Sequence, residues 1–487
     1  MSVTPPPLLY DINQESLTLY RPLALASTPP PGDTERQDIA WALATLAARR
    51  DRYVLYHDYL HGDHRLTFAT KGYREAFRAL LAGLRCNICP RVVHALTDRL
   101  KIVGFEGQDV AGATTGPGTA ADTRDDAAAA WELWQSARLD RVENRILTEA
   151  VATGDAYLMV WPDPDDETLP RFHPHSADSV ALRYDTERPG RILLAAKLWP
   201  DGGRYRLNLY YPERVLRYRS GRDNPSGVPD AKAFALLPDE GEQGNPYGRV
   251  PFFHFAFDAG MGQLGRGELH DVIPLQDALN KELCDLIVAS EFGAFRQKYA
   301  IGVSADEDDD AAVQLGISRL MTVANADVKL GEFSATDLRP YLDTINAFFA
   351  LAAQIKGIPL YTLTMSGTVP SGEALKTLES PLVARVEDTQ TDLGDVWEDA
   401  LAFGLRIAGT VEDAQIVALW QPAESRADGD QVALVAKKVQ ETALPVAQAW
   451  KELGYDEGEI AEFAKQNADE RQAATQATAQ AFNAGQL

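Results

Sequence analysis

No run of about 18 apolar residues, the length a membrane-crossing helix requires, occurs anywhere in this chain. No segment is therefore expected to span a bilayer. Cysteine is scarce: three in 487 residues, an odd number that gives no complete disulfide framework and fits a reducing cytoplasm. Positive charge is in deficit, with 47 Lys and Arg against 71 Asp and Glu and a formal net charge of −24. That balance excludes a protein that grips nucleic acid by neutralising many phosphates, though not one that touches DNA without holding it. The opening residues, "MSVTPPPLLYD", have neither the basic flank nor the apolar core of a secretory signal. There is no G-x-S-x-G and no P-loop glycine–lysine pattern. An enzyme is not expected, and no cofactor or metal is called for.

What is present is an ordinary globular balance, 45% hydrophobic and 24% charged, in a chain long enough for two to four folded units. Residues 1 to about 45 are Pro-rich and then turn helical around "ERQDIAWALATLAARRDRYVLYHDYL". Val92, Val93, Leu96 and Leu100 recur at helical spacing in a second helix. Residues 106–126, rich in Gly, Thr and Ala, read as a mobile loop. A helix pair and a strand are expected over "AAAAWELWQSARLDRVENRILTEAVATGDAYLMVW", and residues 170–257 alternate as strands of an antiparallel sheet. The fold class that follows is α+β. Residues 410 to about 464 read as small helices, followed by a frayed tail.

One arrangement stands out. "GRGELHDVIPLQDALNKELCDLIVASEFGAF" (265–295) reads as a long helix with Val272, Leu275, Leu279, Leu283, Leu286 and Ile287 on one side. Pro274 belongs in a first turn, which puts its start near Asp271. A second helix over "TDLRPYLDTINAFFALAAQIKG" carries Leu338, Leu342, Ile345, Phe349 and Ala352, with Thr336 or Asp337 as N-cap. Each helix has one apolar face, and the other helix is its obvious partner. The acidic insert between them completes a helical hairpin with a small α/β tip. After the loop "TMSGTVPSG" comes a helix of about 35 residues, on the order of 50 Å long. Leu382, Val386, Leu393, Val396, Phe403 and Ile407 form its apolar stripe, and Pro381 either kinks it or marks its start. Asp388, Asp392, Asp395 and Asp399 form an acidic stripe, which is either a solvated face or a wall selected for negative charge.

Several local patterns imitate chemistry. Gly260, Gly262 and Gly265 in "GMGQLG" match a dinucleotide fingerprint between a strand and a helix, and an NAD-linked oxidoreductase is the alternative reading. The acid that should follow about 20 residues later is missing, so hinge glycines are the better reading. Cys86 and Cys89 form a lone C-x-x-C without the second pair that zinc needs, and read as thiols at a helix start. His57, His61 and His64 beside Asp58 and Asp63 read as histidines around a turn rather than metal ligands.

The succession "NICPRVVHALTDRLKIVGFEG", "WELWQSARLDRVENRILTEAVATGDAYLMVW", "GRGELHDVIPLQDALNKELCDLIVASEFGAF" and "IKGIPLYTLTMSGTVPSGEALK" resembles the portal, or head–tail connector, proteins of tailed double-stranded DNA bacteriophages. The likeness runs in order over roughly residues 50–410. It implies a portal fold with an α+β wing (1–264), first stem helix (265–295), clip (296–336), second stem helix (337–357), tunnel loop (358–371), long helix returning to the wing (372–409), and crown with C-terminal tail (410–487). The tunnel-loop residues lining the narrowest part of the channel would be Thr364, Met365, Ser366, Gly367, Thr368, Val369, Pro370 and Ser371. Clip docking would fall to Asp306, Glu307, Asp308, Asp309 and Asp310, and the four aspartates of the acidic stripe would face the channel. The resemblance further implies a homo-oligomeric, dodecameric ring at one capsid vertex, assembled in the host cytoplasm and carried in the virion. Its partners would be the terminase large subunit, a head-completion or adaptor protein, and the major capsid and scaffolding proteins. Double-stranded DNA would pass through the ring without sequence recognition, during packaging and ejection.

Overall fold

The computed structural model describes residues 35–65, 75, 83, 86–107, 119–221, 230–261, 264–294, 298–301, 329–332, 337–364, 372–412, 414–424, 435–439, 445–452, 463 and 465. In chain order the elements are α1 (Glu35–His61), α2 (Cys89–Thr97), β1 (Ile102–Gly107), α3 (Thr119–Ser136) and α4 (Leu139–Thr153). Strands β2 (Asp155–Pro162), β3 (Pro170–Ser176), β4 (Val180–Tyr184), β5 (Ile192–Asp201), β6 (Arg204–Tyr210), β7 (Arg214–Ser220), β8 (Phe234–Leu236), β9 (Glu242–Gly244) and β10 (Phe252–Ala256) follow. Then come α5 (Leu269–Ala294), β11 (Lys298–Ile301), β12 (Lys329–Glu332), α6 (Arg339–Lys356), α7 (Gly372–Ala408), β13 (Ile416–Trp420) and α8 (Val446–Glu452). The fold is α+β, as the alternation of helical and strand patterns requires.

The sheets are antiparallel throughout. A three-stranded sheet runs β10-β2-β3, and a six-stranded one runs β4-β5-β6-β7-β8 with β9 also on β7. One face of the larger sheet packs Leu194, Leu207, Leu209 and Leu216 on Ile39, Ala42 and Leu46 of α1. On the other face, Ala195, Tyr210 and Val215 meet Tyr157, Met159 and Phe252 of the smaller sheet. The main core lies between the smaller sheet and α2, α3, α4, α5 and α7. Trp397 of α7 is its centre, edge-on to Trp134 (ring centroids 5.1 Å apart) and to Phe255 (5.1 Å). Burying such rings joins helix and sheet by area and by edge-to-face geometry together.

Three expectations change. The Gly- and Ala-rich stretch contains the start of α3 at Thr119, because the alanines that suggested a loop are also the best helix formers. Ile416–Trp420, expected among small helices, is a strand paired with β1. A short apolar run carries both readings, and the distant partner decides. The α5 helix starts at Leu269, so Pro274 lies inside it rather than in its first turn.

The chain divides into two compact units, Met1–Ala423 and Glu424–Leu487. Within the second, Val435 and Ala449 are buried, and Trp450 stands edge-on to Phe463 at 5.5 Å.

Candidate functional site

α5 and α6 pack on each other as a helical hairpin, with β11 and β12 paired antiparallel between them in sequence. Gly357 ends α6: its φ of 60° lets the chain turn, and the Ile358 N–H then reaches the Ala353 carbonyl at 3.0 Å. At the other end Pro340 sits in the opening turn, and the Asp337 carboxylate accepts the Arg339 N–H at 3.0 Å.

The inner part of α5 buries more than its apolar stripe. Val272 and Leu279 are buried, and so are Gln276, Asp277 and Asn280 on the adjoining face. Each polar group meets a partner from the body. The Tyr59 hydroxyl donates to Asp277 at 2.5 Å, Tyr56 pairs with His270 at 3.0 Å, and Asn280 pairs with His64 at 2.7 Å. Gln276 accepts the Ile88 N–H at 2.8 Å and donates to the Cys86 carbonyl. Tyr56 and Tyr59 lie three residues apart along α1, but that spacing by itself does not point to the polar residues they meet on α5.

An ionic knot closes the base. Glu268, just before α5, is 2% exposed and meets both Arg385 of α7 and, at 3.4 Å, Lys356 at the end of α6. Lys356 also reaches Asp271 at 3.0 Å, and Arg385 donates to the Lys356 carbonyl. Burial works to raise the Asp271 carboxyl. The Lys356 ammonium, its hydrogen bond and the Arg266 guanidinium outweigh that and hold it below the ordinary aspartate value. Both ends of the hairpin are thus tied to the long helix.

The cover over α6 is incomplete. Along α6, Ile345 and Ala352 are buried and Phe349 is partly covered, but Leu342, Leu351 and Ile355 are 41–48% exposed. Leu342, expected in the buried stripe, therefore lies outside it, while Ala353 and Lys356 are buried instead.

Along α7, Leu382, Val386, Leu393, Phe403 and Ile407 are buried as expected, and Pro381 lies within the helix. Asp388, Asp392, Asp395 and Asp399 are all exposed. A cleft of about 140 Å³ opens beside them, lined by Asp258, Arg385, Asp388 and Asp392 among others. Partial burial first, then the carboxylates of Asp388, Asp395 and Asp258, push the Asp392 carboxyl above its ordinary value. Of the narrow-loop residues, Thr364 is half-buried at the end of the described stretch, and Met365–Ser371 lie outside the described residues. Asp306–Asp310 also lie outside them.

The imitations of chemistry resolve structurally. β10 runs antiparallel to β2, so the parallel βα unit of a dinucleotide fold does not form around Gly260 and Gly265; Gly262 is outside the described residues. A Cβ on Gly265 would lie 1.7 Å from the Gly154 carbonyl oxygen, and one on Gly267 2.3 Å from that of Ala152. These glycines let the chain press onto the α4–β2 turn, where the Glu268 N–H bonds Val151 O at 2.8 Å. Asp155, His254 and Tyr184 line up like a proton relay, at 2.7 and 2.6 Å, but Asp155 is fully buried and also holds the Tyr53 hydroxyl and the Gly265 N–H. Every one of those contacts is internal, so the network joins α1, β2, β4, β10 and the foot of α5. Cys89 begins α2 and is buried, His57 is bonded to Glu149, and His61 to the His57 carbonyl. Among the described residues no group of three or more His, Cys, Asp or Glu could hold a metal ion, and no helix is long and apolar enough to cross a membrane.

Comparison with known proteins completes the site. A family model described as phage portal protein, SPP1 Gp6-like, matches residues 114–474. The portal protein of Mycobacterium phage D29 is 23% identical over 299 residues, 57% of this chain and 58% of that one. The portal protein of Mycobacterium phage L5 is 25% identical over 140 residues, 27% and 29% of the two chains. The chain thus aligns with less than two thirds of the length of either relative. A chain of a solved structure described as the neck of an empty GTA particle computed with C6 symmetry covers 78% of this chain and 92% of its own at 16% identity. Its TM-score of 0.44 is too low to carry an argument.

Proposed function

For a chain that belongs to the SPP1 Gp6-like family of phage portal proteins, we propose a ring of copies at one capsid vertex, with the α5–α6 hairpins side by side as its wall. The observation that carries this reading is the hairpin itself, knotted to the body at its base, with Leu342 uncovered far from that base and Leu351 and Ile355 uncovered on the opposite face of α6. A neighbouring copy is the cover such a face needs, because a single helix pair with a thin apolar stripe is marginal alone. A closed ring supplies that cover on both sides of every copy.

In this reading the body is the wing, the hairpin is the stem, and the segment between α5 and α6 is the clip. Asp306–Asp310 then steer the terminase large subunit or a head-completion protein to the clip. The segment Thr364–Ser371 narrows the channel, and the acidic stripe of α7 approaches it. Residues 416–420 complete a sheet of the body, so the crown begins at Glu424, where the second unit starts. Negative charge lets DNA slide without being held, since a wall that repels phosphate acts as a guide rather than a brake. Energy for packaging comes from the separate terminase, and this chain supplies the orifice and the platform rather than catalysis.

Electron micrographs of the purified full chain test the proposal. Rings with a central hole are expected. Monomers and dimers alone, across concentration and salt, would sink it.

A further inference from the structure

The six-stranded sheet has a half-face that the rest of the chain covers only in part. On β5, β6 and β7 the side that packs Ala195, Tyr210 and Val215 on the smaller sheet continues outward into cations. Cross-strand register puts Trp199, Arg206 and Arg219 in one row and Lys197, Asn208 and Arg217 in the next. Like charges opposed across strands are unfavourable, and the chain does little to relieve them. Asp201 meets Arg219 at 2.8 Å, and Arg217 turns to the Glu240 carbonyl and to Gln243. Lys197 and Arg206 have no carboxylate partner among the described residues. They lie over the Trp199 ring, 4.7 and 5.9 Å from its centroid. Asn208 is 6% exposed, and its Oδ1 is left without a donor. In a chain of net charge −24, this is a place where cations outnumber anions.

The chain also carries a complementary surface. The turn between β2 and β3 is acidic and preorganised: Asp163 accepts the Asp165 N–H at 2.9 Å, and Asp166 accepts the Thr168 N–H at 3.0 Å. Asp165, Asp166 and Glu167 are exposed, with no ion pair among the described residues, and Leu169 beside them is 39% exposed. The two surfaces match, carboxylates to guanidinium groups and leucine to indole, yet they make no ion pair within one copy.

We propose that the acidic β2–β3 turn of one copy docks on the cationic half-face of the next. This contact rests on the ring reading above and adds a surface to it. A head-to-tail ring uses two different patches per copy, which is what an unmatched pair of complementary surfaces provides. Copies of such negative charge repel at long range, and short-range opposite charges are what set the register of approach. Nucleic acid fits the half-face less well. Asp201 stands within it, and the field of the whole chain opposes a polyanion.

The test is a charge swap in the full chain, read by mass photometry across salt, with thermal melts as the folding control. Arg206→Glu with Arg219→Glu should lower the assembled fraction by about tenfold at low salt, and Asp165→Lys with Asp166→Lys by a similar factor. Combining all four should restore most of the loss. Two outcomes overturn this contact and leave the ring standing. One is that the paired variants assemble like the unmodified chain, or that the combination fails to rescue. The other is that the arginine variant assembles normally but loses affinity for a short DNA duplex, which reassigns the face to nucleic acid. Failure of the unmodified chain to assemble at all sinks the ring, and this contact with it.

Discussion

Within the single helix α5, residues 269–280 and 281–291 live in different surroundings. About half of the inner residues are buried, and the side chains of His270, Gln276, Asp277 and Asn280 each bond to Tyr56, Ile88, Tyr59 or His64 of the body. The outer residues are mostly half-buried, and Lys281 and Asp285 form a local bridge at 2.5 Å. The partner helix repeats the contrast, with Lys356 knotted at the base and Leu342 exposed further out. Directional contacts at the base fix which way the hairpin points, because each hydrogen bond and ion pair tolerates only one geometry. Uncovered apolar area fixes nothing by itself and is free to be covered by whatever lies alongside. The difference teaches that the contacts which aim the hairpin are distinct from the apolar area it leaves uncovered.

Four experiments break or sharpen that contrast. The largest effect is expected from Gly265→Ala at the foot of α5. Its Cβ would lie 1.7 Å from the Gly154 oxygen, and the backbone shift should cost roughly 3–5 kcal/mol in a denaturant titration. A loss under about 1 kcal/mol would mean the foot is not closely packed.

Next is Glu268→Gln, which leaves Lys356 and Arg385 facing a neutral amide. Breaking a buried pair from one side should cost about 3 kcal/mol. Amide exchange should quicken at the base of α5 and α6 more than in the β4–β8 sheet.

Leu342→Ser, Leu351→Ser and Ile355→Ser should each move monomer stability by only about 0.5 kcal/mol, because the side chains are already exposed. Together they should sharply reduce assembly in mass photometry. Equal losses of monomer stability from these and from Glu268→Gln would erase the distinction between the knotted base and the uncovered apolar side chains.

The smallest effect is a pH dependence confined to the base. Because the folded carboxyl of Asp271 lies below the ordinary value of 3.8, the native state holds fewer protons there than the unfolded chain. Its contribution is present above pH 3.8 and is lost as pH falls through the folded value. Acidification below that point should loosen the Lys356 contact first, and Asp271→Asn should remove this part of the pH response.

Much of this was legible from residue spacing. The hairpin, the apolar stripe of α7 and the strand-rich 170–257 region come from periodicities of 3.6 and 2, which are local and survive any choice of partner. The buried seam of Gln276, Asp277 and Asn280 was not legible. Polar residues on a helix face read as solvated until their tyrosine and histidine partners are placed against them. Leu342 failed in the opposite direction, since spacing gives the face a residue occupies but not whether that face is covered within one chain.

Composition and periodicity alone determined that this chain is α+β, strongly acidic, without an apolar run long enough to cross a membrane, and built around a helical hairpin leading to a long helix. Each of those follows from residue type and near-neighbour spacing. Only the tertiary structure decided that Ile416–Trp420 is a strand completing a sheet with Ile102–Gly107. It alone decided that the fingerprint-like glycines serve close backbone packing, and that Glu268, Asp271, Lys356 and Arg385 form one knot. The reason is common to all three. Each depends on groups far apart in the chain that acquire a partner only on folding, and a short apolar run, a glycine or a charge has no fixed role until that partner arrives.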